Sequence, residues 1–209
     1  LKPARVSFEQ AAATPVAGLT ALQALRDKGG LAAGQRVLVN GASGGVGTFT
    51  VQIAKALGAN VTAVCSTRNV ELVRSLGADH VLDYTRDDFT RAGTRYDLVI
   101  DNIGNHSLPA CCRAVAPGGT LVLVGARTDR LILALLRIAQ APLVSRLWGR
   151  RIVFFISQVK TEDLDALREL LEAGKVTPAV DRTYPLAEAA AAFRYQKAGH
   201  ARAKVVIRV

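Results

Sequence analysis

Cysteine is scarce in the 209-residue sequence, and its spacing excludes the common metal sites. The three cysteines show no metal-ligand pattern, because Cys65 ends a predicted strand while Cys111 and Cys112 are neighbours in a predicted helix. Cysteines of this kind are typical of reduced thiols buried in a core. We therefore expect no structural disulfide and no metal site.

The sequence also lacks an apolar run long enough to cross a membrane. Its most apolar stretch, residues 131–147, is shorter than a spanning helix and contains Arg137 and Arg146. No signal peptide is recognisable, and the first residue is Leu1 instead of Met, as expected of an internal piece of a longer chain. We expect a cytoplasmic protein without a transmembrane segment.

Acidic residues are outnumbered, since 17 Asp and Glu against 27 Lys and Arg give a formal net charge of +10. The excess lies in residues 127–151, with six arginines and one aspartate, and in residues 194–208, with five basic residues and no acid. Aromatic residues make up 5% of the chain and the basic residues form no extended run, which argues against a nucleic-acid interface. Solvated surface is the first explanation, attraction of an anionic cofactor the second and nucleic acid the last.

Residues 36–47 contain the most informative pattern, an apolar run that breaks into a glycine-rich turn and opens a helix. The run at 37–39 is typical of a strand buried on both faces of a parallel sheet. Glycines in the turn permit close approach of a pyrophosphate, which the helix N-terminus attracts. A loop that merely turns the chain is the alternative, since Ala42 replaces the first glycine of the usual pattern. We assign cofactor binding in this loop to Ser43, Gly44, Gly45 and Val46.

Strands and helices alternate after this loop, at intervals of about 20 to 25 residues. The predicted strands are 37–39, 60–65, 80–82, 97–101 and 120–124, with helices at 69–76, 87–91 and 107–115 and a turn at 117–119. The alternation predicts an α/β fold with a Rossmann-type, doubly wound parallel sheet. Ligands of such sheets bind at the carboxyl ends of the strands. These ends carry residues 40–41, 65–66, 83–84, 101–103 and 124–126.

The residues after the second strand distinguish the two nicotinamide cofactors. In an NAD-binding unit, an acidic residue about 20 positions after the glycine turn binds the ribose 2′-hydroxyl. The corresponding stretch, residues 64–69, has no acid but contains Ser66 and Arg68. A guanidinium and hydroxyls hold a 2′-phosphate that a carboxylate would repel. We predict NADP(H), with Arg68 and Ser66 as its chief contacts; the alternative is that Arg68 is a solvated loop residue.

Five stretches of the sequence together resemble a known family. They are 15–21 (PVAGLTA), 39–47 (VNGASGGVG), 75–84 (SLGADHVLDY), 116–125 (APGGTLVLVG) and 199–207 (GHARAKVVI). Through them the chain resembles the medium-chain dehydrogenases/reductases, in particular their zinc-independent quinone oxidoreductase-like branch. The resemblance implies that Thr20 lies near the nicotinamide and that Tyr84 helps to hold the adenosine phosphate. The other cofactor-lining residues that it implies are Asn102, Ile103, Val124, Gly125 and Ala126.

The same resemblance implies a division of the chain. We expect a helical lead-in at 1–27, the dinucleotide-binding Rossmann domain at 28–160 and C-terminal elements at 161–209. Relatives begin with a barrel-like, GroES-like catalytic domain, and strands at 176–181 and 204–209 resemble those that return to it. An edge strand at 151–157 resembles one that pairs across a homodimer.

Two functions are compatible with these observations. The first is reduction of a quinone or activated alkene by hydride transfer from NADPH, without zinc; the second is a catalytically incomplete NADP(H)-binding module or sensor. A zinc-dependent alcohol dehydrogenase is disfavoured because the stretch around Ala13, where such relatives have a cysteine ligand, contains neither Cys nor His. We assign no catalytic residue. We interpret Asp83 and Asp101 as loop-holding side chains, and His106 and His200 as surface or capping residues.

Overall fold

The computed structural model describes residues 2–125, 131–199 and 201–209, with the backbone alone for 131–134. The helices are α1 (Phe8–Ala13), α2 (Pro15–Gln23), α3 (Gly47–Ala56), α4 (Val70–Ser75), α5 (Leu108–Ala114), α6 (Leu131–Trp148), α7 (Thr161–Glu172) and α8 (Ala189–Lys197). The strands are β1 (Arg36–Asn40), β2 (Asn60–Cys65), β3 (His80–Asp83), β4 (Tyr96–Asp101), β5 (Val115–Leu123), β6 (Arg151–Phe154), β7 (Val180–Pro185) and β8 (Lys204–Arg208).

Six of these strands form one parallel sheet in the order β3-β2-β1-β4-β5-β6. The chain winds outward from β1 in one direction through β2 and β3, and then in the other through β4, β5 and β6. In the central register, Val39 is paired with Ala63 on one side and with Ile100 on the other. The predicted doubly wound parallel sheet is confirmed, and it has a switch point between β1 and β4.

Helices cover both faces of the sheet because its strands are apolar on both sides. Successive residues of a strand point to opposite faces, so Val37 and Val39 belong to one core cluster while Leu38 belongs to the other. The first cluster includes Phe49 of α3 and Leu25, and the second includes residues of α5. All three cysteines are buried and free, as expected.

The N-terminal helices dock on the same core. Ser7 and Gln10 form the capping box that starts α1, because each side chain accepts a hydrogen bond from the backbone N–H of the other. Pro15 then begins α2 in the first helical turn, where its missing N–H costs nothing. α2 packs on α3 and α7, and Leu19 lies in the first core cluster. The proposed division into three regions stays a prediction.

Three local predictions are wrong, and each fails where a side chain or a neighbouring strand directs the backbone. Residues 87–91 form turns instead of a helix, because the Asp88 carboxylate accepts hydrogen bonds from the backbone N–H and the hydroxyl of Thr90. Residues 117–119 lie inside β5, where the register with β4 shifts. Gly119 permits this pairing, since a β-carbon there would lie 2.8 Å from the Asp97 carbonyl oxygen.

The third error concerns β7, which begins at Val180 instead of residue 176. The N–H of Val176 donates to the Leu170 carbonyl, and Gln52 of α3 holds the backbone N–H and carbonyl of Thr177. The predicted strand start is therefore fixed to α7 and α3, and pairing with β8 begins later.

Among the helices of the described ranges, none has both the length and the apolar character needed to cross a bilayer.

Candidate cofactor site and active-site cleft

A cleft of about 440 Å³ opens at the switch point, along the carboxyl ends of β1, β4 and β5. The predicted site residues that line it are Thr20, Gly44, Gly45, Val46, Asn102, Ile103, Val124 and Gly125. Residues 154–157, which follow from β6, complete its wall. The structure thus brings eight of the thirteen predicted residues into one cavity.

The glycine loop between β1 and α3 is packed too closely for a side chain at several of its glycines. A β-carbon on Gly47 would lie 2.1 Å from the Gly41 carbonyl oxygen, so only glycine allows α3 to start this near to β1. Gly41 has φ +77°, and a β-carbon there would lie 2.6 Å from the Ile103 side chain. The loop therefore leads backbone groups and the N-terminus of the ten-residue α3 to the cleft, an arrangement suited to a phosphate.

Lys204 lies against this loop, a contact that sequence reasoning missed. The Ala203 N–H donates to the Ser43 carbonyl at 2.8 Å, and this bond holds the start of β8 on the loop. The Lys204 Nζ is then 3.6 Å from the position of a β-carbon on Gly45. Burial lowers the pKa of Lys204, and a bound anion would favour its charged form. The motif at 199–207 was noticed in the sequence, but nothing there places it beside Gly45.

The residues predicted for the adenosine end form a second group next to the loop. Asn69 connects one of them, Ser66, to Ser43 of the glycine loop, because its Nδ2 donates to Ser43 Oγ at 3.0 Å and to Ser66 Oγ at 3.2 Å. Its Oδ1 is buried and has no hydrogen-bond partner among the described residues. Arg68 is exposed in the turn between Ser66 and Asn69. Asn69 is thus a further candidate that the sequence analysis did not select.

Tyr84 and Ala126 complete the predicted set. Tyr84 is 60% exposed, and its backbone N–H donates to the Cys65 carbonyl at 3.0 Å, so it lies at the end of β2 near Ser66. Ala126 lies outside the described residues. Asp83, next to Tyr84, accepts hydrogen bonds from Thr67 and Thr85 that lower the pKa of its carboxyl, in keeping with its predicted loop-holding role.

At the other end of the cleft, two hydroxyls meet. The Oγ atoms of Thr20 and Ser157 are 3.0 Å apart, and Thr20 also donates to the Val16 carbonyl. Gln23 fixes the segment after Ser157, since its Nε2 donates to the Gln158 carbonyl and its Oε1 accepts from the Gln158 N–H. The expected edge strand at 151–157 thus ends at Phe154, because residues 155–157 turn into the cleft.

Comparison with known proteins agrees with this geometry. The family model described as zinc-binding dehydrogenase matches residues 76–207, more than half of the chain. The chain belongs to this family. It is a member of the medium-chain dehydrogenase/reductase superfamily, and its similarity is to the quinone oxidoreductase-like proteins.

The individual relatives are longer than this chain, which covers only part of each of them. It is 37% identical to the mitochondrial NAD(P)H oxidoreductase RTN4IP1 of Mus musculus, with 100% of the chain and 57% of the mouse protein covered. It is also 37% identical to the 2-methylene-furan-3-one reductase of Solanum lycopersicum, over 99% of the chain and 48% of that protein. The structure of the quinone oxidoreductase from Coxiella burnetii superposes with a TM-score of 0.85 at 31% identity, covering 100% of the chain and 63% of that structure.

The family description names zinc, yet the described residues offer no group of three His, Cys, Asp or Glu side chains that could hold a metal ion. His106 packs edge-on against Phe89, with ring centroids 4.8 Å apart, and His200 lies outside the described residues. Asp101 is buried at the end of β4. Its Oδ1 accepts from the Gly104 N–H at 2.9 Å and its Oδ2 from Arg137 at 2.6 Å. Asp101 therefore holds the loop below the cleft, as predicted.

Proposed function

We propose that this protein is an NADPH-dependent oxidoreductase that reduces a quinone or an activated alkene by hydride transfer, without zinc. The observation that carries the proposal is the closely packed glycine-rich loop at the switch point, with Lys204 beside it. The relatives support the reaction class, since they include an NAD(P)H oxidoreductase, a quinone oxidoreductase and a 2-methylene-furan-3-one reductase.

The residues present fit a nicotinamide dinucleotide. Close packing at Gly45 and Gly47 lets the loop and the N-terminus of α3 line the cleft, where they suit the diphosphate, and Lys204 supplies a positive charge next to the loop. Ser66 and Arg68 suit a 2′-phosphate, and the buried Asn69 Oδ1 still needs a donor. The bound reduced nicotinamide supplies the hydride.

The acceptor end of the cleft suits a flat, conjugated carbonyl compound. Apolar side chains of Ile103, Phe154 and Ile156 line it and exclude water from the reacting atoms. The Thr20 hydroxyl donates to Ser157 Oγ, so the Ser157 hydroxyl can donate its own proton to an acceptor oxygen as that oxygen gains negative charge. None of the cleft-lining residues in the described part of the chain is an acid or a base, so the final proton comes from water or from a residue outside this part.

The alternative is an NADP(H)-binding module without turnover. It is favoured by the lack of an acid or base among the cleft-lining residues just described. A quinone assay separates the two functions. If the protein is an enzyme, we expect saturable NADPH binding and a quinone-dependent loss of NADPH absorbance at about 340 nm, where reduced nicotinamides absorb. Saturable binding without this loss would support the binding module.

We further propose a homodimer formed through β6. Within the described residues β6 pairs with β5 alone, so its outer edge can accept a second copy. Val159, shortly after this strand, is 79% exposed and offers an apolar contact. Val153→Pro should convert the dimer into monomers in sedimentation-velocity runs, whereas Leu186→Lys, at an exposed residue elsewhere, should not. A wild-type monomer at micromolar concentration would contradict the proposal.

The cytoplasmic location stays a prediction.

A further inference from the structure

A second cleft, of about 530 Å³, lies at the amino ends of the strands, whereas the cofactor cleft lies at their carboxyl ends. Its walls come from the loop before β4, the C-terminal end of α5 and the segment between α6 and β6, and therefore from the amino ends of β4, β5 and β6. Its charged lining residues are Arg91, Arg95, Arg113 and Arg150. Trp148, Cys112 and small polar residues complete the wall, and no carboxylate from the described part of the chain lines it. This arginine cleft includes one end of the arginine-rich stretch seen in the sequence.

Backbone carbonyls orient two of these arginines without neutralising them. Arg150 donates from Nε to the Val115 carbonyl at 2.9 Å and from Nη1 to the Trp148 carbonyl at 2.6 Å. Arg113 donates from Nε to the Thr90 carbonyl at 3.3 Å. These bonds use the Nε atoms of both arginines and Nη1 of Arg150. For the two terminal nitrogens of Arg113 and for Nη2 of Arg150, no acceptor occurs among the described residues.

Carboxylates do not balance the charge of the arginine cleft. Arg91 is 3.6 Å from Asp88, an ion pair in which the arginine side chain is 81% exposed. For Arg95, Arg113 and Arg150, the described ranges provide no ion pair. Four like charges around one cavity repel each other, and the negative ends of the α5 and α6 dipoles offset this repulsion only in part. A bound anion would relieve it.

We propose that the arginine cleft is a second ligand site, which binds a phosphate-bearing anion. A phosphate group has several strong acceptor oxygens and up to two negative charges, and the planar guanidinium binds it through two parallel hydrogen bonds. A cavity of this volume has room for more than one phosphate group. The site is independent of the proposed cofactor site, because the two clefts share no lining residue.

The phosphate can come from a soluble molecule or from a lipid headgroup. Leu147, next to Trp148 at the end of α6, is 72% exposed, and this apolar side chain beside the arginines would suit a headgroup at a membrane surface. The two sources are distinguishable because a soluble diphosphate needs no apolar neighbour.

The test uses Trp148, the single tryptophan of the chain, as a built-in reporter. Pyrophosphate is titrated while tryptophan fluorescence is recorded, and calorimetry checks that the change reflects binding. In parallel, vesicles of phosphatidylcholine with one fifth phosphatidic acid, as an approximate working ratio, are compared with pure phosphatidylcholine in a sedimentation assay, at about 0.1 M salt. The variant Arg95→Gln/Arg113→Gln removes two charges from the cleft. Arg74→Gln/Arg86→Gln removes two exposed charges elsewhere and is the matched control.

We expect a saturable response of Trp148 that becomes about tenfold weaker or disappears in Arg95→Gln/Arg113→Gln and stays unchanged in the control. A response to pyrophosphate supports a soluble ligand, and a response confined to phosphatidic acid vesicles supports a lipid headgroup. Absence of both, or a response that the cleft variant leaves intact, would overturn the proposal. NADPH binding measured on the same variants shows that they are folded, and its outcome is separate from that of the arginine cleft.

Discussion

Lys204 lies directly over Gly45: its Cδ is 2.7 Å from the place where a β-carbon on Gly45 would stand. The two residues are far apart in the sequence. They meet because β8 is bridged to the glycine loop through Gly44 and Ala203. The loop therefore has a cationic side chain on one side and the N-terminus of α3 on the other. This pairing gives the first prediction.

Replacing Lys204 with Gln should weaken the binding of NADPH and NADH to the same extent, by about tenfold each, because the lysine lies beside the loop where we propose that the diphosphate of both cofactors binds. Lys204→Arg should retain most of the affinity, since it keeps the charge. Fluorescence titration with both cofactors measures the effect. A loss confined to NADPH would instead place Lys204 at the 2′-phosphate.

Arg68→Glu, in contrast to Lys204→Gln, should discriminate between the two cofactors. A carboxylate at this position repels a 2′-phosphate and can accept a hydrogen bond from a 2′-hydroxyl, so NADPH binding should fall much more than NADH binding. Arg74→Glu, an exposed arginine on α4 that pairs with Glu71, is the control and should change neither affinity by a comparable amount. Equal losses for both cofactors would show that Arg68 does not contact the phosphate.

Gly47→Ala tests the close packing of α3 on β1. The added β-carbon would overlap the Gly41 carbonyl oxygen and the Ala42 backbone, which cannot move without displacing the loop. We expect a loss of more than about 3 kcal/mol in the free energy of unfolding. Gly93→Ala, in open space at φ +75°, should cost only about 1 kcal/mol from its left-handed backbone. Urea unfolding of both variants gives the comparison, and equal costs would contradict the packing argument.

The ion pair between Asp101 and Arg137 should be strongly coupled. Asp101 is fully buried and the Arg137 side chain is 13% exposed, so removing one partner leaves a buried charge. Asp101→Asn should destabilise the protein by about 3 to 5 kcal/mol. Adding Arg137→Met should recover part of this loss, because it removes the unpaired cation. A double-mutant cycle measured by urea unfolding checks this, and additive effects would mean that the pair contributes nothing.

The thiols should be unreactive in the folded protein. Burial raises the pKa of Cys65 to about 11 and that of Cys111 to about 12. Both groups therefore stay protonated when folded, and their contribution to stability is full below the unfolded value of 9.0 and is lost as pH rises through the folded pKa. Iodoacetamide at pH 8 should label no cysteine quickly until urea is added. Rapid labelling of the folded protein would show that the thiols are accessible.

Elements with a strong local pattern were predictable. The second strand was expected at 60–65 and occurs as Asn60–Cys65, and the capping box of Ser7 and Gln10 starts α1. The errors at 87–91 and 176–181 arose where Asp88 and Gln52 direct the backbone, because hydrogen bonds of single side chains leave no periodic signal. The apolar period reports burial, and these bonds are independent of it.

From the sequence alone came the parallel α/β sheet, the glycine loop at its centre and the list of strand ends where we expect a ligand, since hydrophobic period and glycine position are local properties of the chain. Only the tertiary structure placed Lys204 on the loop, Ser157 beside Thr20 and four arginines around a second cleft. The members of each group lie far apart along the chain. The winding of the sheet and the docking of β8 bring them together.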